Sequence, residues 1–69
     1  MKKEAKVFGK EIVGKQIKLV FMDDPYSELQ PGETGTVSMV DDAGIIHVDW
    51  DNGSKLGIIQ GIDEFEFLN

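Results

Sequence analysis

The sequence predicts an all-β domain, a small antiparallel barrel of five short strands. Three observations predict it. Apolar residues alternate with polar ones over Gln16–Met22 and again over Ile45–Asp51, the period of a half-buried strand. Asn52–Gly53 sits between two apolar runs, the strongest short hairpin signal, because both residues tolerate positive φ. Turn chemistry recurs at Pro31–Gly32 and Asp42–Ala43–Gly44, at the short spacing of strands in a small antiparallel barrel.

Taken in order, residues 1–11 read as a basic, flexible leader ahead of a barrel domain over 12–69. The competing reading is a docked turn that places Phe8 on the barrel end. The first strand is expected over Gln16–Met22, with Ile17, Leu19 and Phe21 on one face. Asp23–Gly32 is a loop of ten residues, longer than a usual hairpin connection and of a kind that often carries function. Pro25 holds Asp24 extended. The second strand is expected over Thr34–Asp41, with Val37, Met39 and Val40 as apolar contributors and Gly35 marking a bulge or a close backbone approach. The third is expected over Ile45–Asp51, with Ile46, Val48 and Trp50 on one face. The fourth is expected over Ser54–Ile59, with Leu56 and Ile58 inward. Gly61–Ile62–Asp63 reads as a tight turn, one turn of 3₁₀ helix, before a last strand over Glu64–Leu68 with Phe65 and Phe67 inward. This succession of strands, with its long first loop, is that of an SH3-like barrel. The OB-fold is the main rival, but it needs longer strands and a helix between the third and fourth, for which there is no room.

Sixty-nine residues make one domain. A chain of this size buries only about 60% of its unfolded surface, so the core is small. With no cysteine, neither a disulfide framework nor a zinc knuckle is available, and an intracellular, cytoplasmic setting is expected. No secretory signal or membrane span is recognisable. Seven Lys and no Arg face 13 acids, for a net charge of −6. Four of those Lys (Lys2, Lys3, Lys6, Lys10) and one Glu lie in residues 1–10, so that segment is net +3 and residues 11–69 are net −9. An acidic body disfavours phosphate-backbone binding and favours a basic partner or simple solubility.

The order of short motifs also resembles a family. Met22-Asp23-Asp24-Pro25-Tyr26, Pro31-Gly32, Gly35-Thr36-Val37, Val40-Asp41-Asp42-Ala43-Gly44, Ile46-His47-Val48, Trp50-Asp51-Asn52-Gly53-Ser54 and Asp63-Glu64-Phe65 succeed one another as in the small bacterial and phage proteins catalogued as domain of unknown function 4314. With Ile12-Val13-Gly14-Lys15 ahead, the resemblance covers about four-fifths of the chain, and the basic leader lies outside it. It implies an SH3-like barrel, often on mobile elements or prophages, and no assigned activity. Gly32-x-x-Gly35-Thr36-Val37 also looks like KOW-type barrels, and Val48-x-Trp50-Asp51-Asn52-Gly53 like the Mib–Herc2 barrel. Fold-level likeness of this kind does not carry function.

Catalytic and metal constellations are thin. Ser27, Ser38 and Ser54 share the single His47, which would have to leave its strand face to serve a triad. Asp49-x-Asp51-Asn52-Gly53 looks like a calcium loop, but its glycine comes one position early and no glutamate closes it. No enzyme, catalytic residue, metal site or cofactor is expected.

A binding surface is the better expectation. Asp23, Asp24, Pro25, Tyr26, Glu28 and Leu29 from the long loop, with Trp50 before the hairpin turn, are candidates to hold a basic or proline-bearing segment. For Tyr26 and Trp50 the competing role is to pin the loop and fill the core. The expected function is a non-enzymatic SH3-like module for an unidentified, basic protein partner, as a monomer or weak homodimer without membrane attachment. The alternatives are a nucleic-acid or ribosome-associated KOW-like barrel using the Lys2–Lys10 leader, and an acidic inhibitor of a host DNA-binding protein.

Overall fold

The computed structural model describes residues 7–23 and 29–68. Five strands, β1 (Gln16–Phe21), β2 (Thr34–Val40), β3 (Ile45–Trp50), β4 (Ile58–Ile59) and β5 (Glu64–Phe67), form one antiparallel sheet in the order β4-β3-β2-β1-β5. The fold is therefore all-β, as the alternation predicts. The sheet does not close by a ladder between β4 and β5, which end the order on either side. Among the described residues no second sheet covers its apolar face, so one sheet must wrap its own core. That core is Ile12, Ile17, Leu19, Leu29, Val37, Val40, Ile46, Val48, Trp50 and Ile58. Among the described residues no polar or charged side chain is buried.

Two bulges shape the wrap. Leu19 pairs with Phe65 and Phe21 with Glu64, so Val20 is an extra residue on β1. Val37 pairs with Val48 and Met39 with His47, so Ser38 is an extra residue on β2. Each bulge reverses the inward–outward phase of the strand residues beyond it. Phe21 is therefore exposed where plain alternation turns it inward, and Val40 instead of Met39 enters the core. Gly35 makes the close approach foreseen for it. A Cβ there would lie 2.7 Å from Val48 Cγ1, 2.8 Å from the Asp49 carbonyl oxygen and 2.9 Å from Trp50 Cα.

β4 is much shorter than Ser54–Ile59. The Asn52–Gly53 turn forms as expected, with Gly53 at φ 92° and its N–H on the Trp50 carbonyl at 2.9 Å. Beyond it, side chains take the backbone groups a ladder would use. The Ser54 hydroxyl accepts the Leu56 N–H at 3.3 Å, and the Trp50 indole N–H donates to the Leu56 carbonyl at 2.8 Å. Pairing with β3 resumes only at Ile58 and Ile59. Leu56, expected inward, is consequently exposed.

The 3₁₀ turn lies at Lys10–Ile12, ahead of β1, and inserts Ile12 into the core. The segment before β5 is a turn closed by Ile62 N–H on the Ile59 carbonyl at 3.1 Å. Phe8 docks. The Gln60 side chain accepts the Phe8 N–H at 2.7 Å and donates to the Phe8 carbonyl at 3.0 Å and the Gly44 carbonyl at 2.8 Å. The Phe8 ring meets Phe65 and Phe67 edge-on, with centroids 5.8 and 5.2 Å away. Phe8 is thus in contact with Gln60 and with the β5 residues Phe65 and Phe67. Lys2, Lys3 and Lys6 lie outside the described residues.

Candidate functional site

The contact set expected from sequence divides. Asp24, Pro25, Tyr26 and Glu28 lie outside the described residues. Leu29 and Trp50 are core side chains, 4% and 3% exposed, so as placed neither presents a surface to a partner. Trp50 is inward because β3 alternates without a bulge, so Ile46, Val48 and Trp50 all face the core. Asp23, at the start of the long loop, is exposed.

Next to Asp23 the structure builds a groove of about 250 Å³ that no sequence pattern announces. Met22, Leu56, Ile59 and Ile62 supply its apolar lining, and Asp23 and Asp63 line it as well. Three elements bring them together. Met22 follows the end of β1 and is half-buried against the core; the unpaired run after the Asn52–Gly53 turn carries Leu56; β4 and its turn carry Ile59 and Ile62. Leu56, Ile59 and Ile62 are 37%, 46% and 49% exposed, an apolar cluster left in water on one side of the domain.

Asp63 fixes the groove. One carboxylate oxygen accepts the Asp23 N–H at 3.0 Å, the other accepts the Ile59 N–H at 2.9 Å, and the Asp63 N–H donates to the Ile59 carbonyl at 2.9 Å. The base of the long loop, β4 and the turn into β5 are thereby tied at one side chain. Sequence reasoning did not mark Ile59 and Ile62 as part of a site, because Ile59 falls on the outward side of the expected fourth strand and Ile62 in the turn after it. The available signal was two large aliphatics flanking Gly61 in an otherwise polar turn.

A second hollow of about 250 Å³ is lined by Phe8, Gln60, Gly61, Asp63, Glu64 and Phe65, so the docked Phe8 forms one of its walls. At the β2–β3 turn, Asp41 accepts the Ala43 and Ile45 N–H groups at 3.0 and 2.9 Å and meets His47 Nε2 at 3.0 Å. The His47 hydrogen bond, then the Ile45 backbone bond, hold the Asp41 pKa below the ordinary aspartate value. The Ser38 hydroxyl donates to the His47 backbone carbonyl, and the ring pairs with Asp41, so this trio staples a turn. Among the described residues no three His, Asp or Glu side chains gather as a metal-ligand set. No helix among them is long and apolar enough to cross a membrane.

Fold and site together define a small curled-sheet domain with an apolar groove beside its long loop. The chain matches the family described as "Domain of unknown function (DUF4314)" over residues 6–68, and it belongs to that family. No curated protein and no solved structure matches it.

Proposed function

We propose that this domain is a non-enzymatic module that binds a protein partner in the groove between Asp23 and the β4–β5 turn, acting in the cytoplasm. The observation that carries this reading is the exposed cluster of Leu56, Ile59 and Ile62 around a preformed hollow. Aliphatic side chains left in water at one place contribute most when a partner covers them, roughly 25 cal/mol per Å² of apolar surface removed. The hollow, at about 250 Å³, falls below the roughly 300–1,000 Å³ typical of small-molecule sites, which favours a protein side chain as its filling. The absence of cysteine supports a reducing compartment. The contact surface of this reading keeps Asp23 from the sequence expectation; Leu56, Ile59 and Ile62 take the place given there to Trp50 and Leu29, and Asp24, Pro25, Tyr26 and Glu28 lie outside the described residues.

Affinity capture from nuclease-treated lysate of a cell that encodes the protein tests it, run beside Ile62→Ser and a form lacking residues 1–6. A discrete protein that saturates wild type, persists without residues 1–6 and is lost with Ile62→Ser supports the reading. Capture that disappears on nuclease treatment or with residues 1–6 removed contradicts it and favours the nucleic-acid alternative.

A further inference from the structure

Resting on that reading, we infer that the groove's occupant is a short, extended peptide segment that places one aliphatic or aromatic side chain in the hollow and a lysine or arginine against Asp23. Size argues for a single anchor. A space of about 250 Å³ bounded by Met22, Leu56, Ile59 and Ile62 takes one large side chain, and the chain carrying it must run along the surface. Charge argues for the cation. Among the described residues the ionisable groups lining the groove are carboxylates, Asp23 and Asp63, and no lysine lines it. Lys55, the nearest base in sequence, is engaged with Asp49 at 2.6 Å.

The two carboxylates have different tasks. Both oxygens of Asp63 already accept backbone N–H groups, from Asp23 and Ile59, so its charge adds to the field while its geometry is committed to the scaffold. Asp23 is exposed and lines the groove, and its bond to Asp63 uses its backbone N–H and not its carboxylate, so it is the group assigned to a partner's lysine or arginine. A cation there gains little in open water but fixes the register of a segment already anchored by its apolar residue.

Selection from a displayed library of random short peptides on the full chain, with affinity measurement on the enriched peptides, tests this. The expected result is enrichment of peptides pairing a large apolar residue with lysine or arginine nearby. Asp23→Asn should weaken them about two- to fivefold, as an exposed charge pair does. Ile62→Ser should weaken them about tenfold or more, as loss of a buried anchor contact does. Both variants should keep the wild-type circular dichroism spectrum and melting temperature. Peptides that need Ile62 but carry no cation, or ignore Asp23→Asn, overturn the inference and leave the groove reading standing. Peptides indifferent to Ile62→Ser overturn both. A dimer that Ile62→Ser dissociates makes a second copy the occupant, and affinity that rises when residues 1–6 are removed makes that segment the occupant. Either result also overturns the inference.

Discussion

The Asp63 carboxylate accepts the backbone N–H of Asp23 at 3.0 Å, joining positions 40 residues apart in sequence. Its second oxygen holds Ile59 at 2.9 Å, so one side chain sets the distance between the loop base and β4, which is the width of the groove. Replacing Asp63 by Asn puts an NH₂ donor against one of those N–H groups. Asp63→Asn is expected to cost about 1–2 kcal/mol and to speed amide exchange at Asp23 and Ile59 specifically. Hydrogen exchange resolved residue by residue checks this; uniform acceleration across the sheet would contradict the local tie.

Glycine substitutions separate two causes of strain. Gly35→Ala drives a methyl group into the β3 backbone, where the Asp49 carbonyl oxygen and Trp50 Cα are within 2.9 Å. Backbone cannot rotate aside, and a loss of about 1–3 kcal/mol is expected. Gly53→Ala has open space around its Cβ but sits at φ 92°, so its cost is conformational, about 1–2 kcal/mol. Chemical denaturation measures both, and a crystal structure of each distinguishes a displaced β3 from a rearranged turn.

Asp41 is expected to contribute to acid sensitivity. Its folded pKa is depressed, chiefly by the His47 hydrogen bond and then by the Ile45 N–H. Such a group contributes stability that is present above the unfolded value of about 3.9 and is lost as pH falls through the lower folded value. Thermal melts between neutral pH and the acid range should show a decline at the acid end that Asp41→Asn flattens. An Asp41→Asn protein with the same acid limb as wild type would contradict the assignment.

Truncation at the N-terminus has a sharp boundary. Phe8 is held by the Gln60 amide and packs on Phe65 and Phe67, so a form lacking residues 1–8 should melt lower than one lacking residues 1–6. Removing residues 1–8 should cost about 1–3 kcal/mol, from the lost aromatic contacts and hydrogen bonds. Equal effects of the two deletions, by differential scanning calorimetry, would contradict the clasp.

The strands were legible where the chain is regular. β3 alternates without interruption, and Ile46, Val48 and Trp50 all turn inward as the pattern requires. The Asn52–Gly53 hairpin and the Gly35 approach were legible because glycine's missing Cβ leaves a signature in sequence. The bulges were not, since Val20 and Ser38 are unremarkable strand residues and only the partner strand's register reveals the extra position. Nor was the groove, because it joins Met22, Leu56 and Ile62, distant in sequence, through a carboxylate whose two hydrogen bonds no local pattern announces. Gln60 hides in the same way: a polar residue in a turn gives no hint that it clasps Phe8, 52 positions away.

The most direct test of a partner-binding groove is amide chemical-shift mapping of the nitrogen-labelled protein during titration with the partner recovered by capture. The largest shifts are expected to gather at Met22, Asp23, Leu56, Gly57, Ile59 and Ile62, and Ile62→Ser is expected to abolish them. Shifts gathered instead around Lys10, Lys15 and Lys18, unaffected by Ile62→Ser, would contradict it.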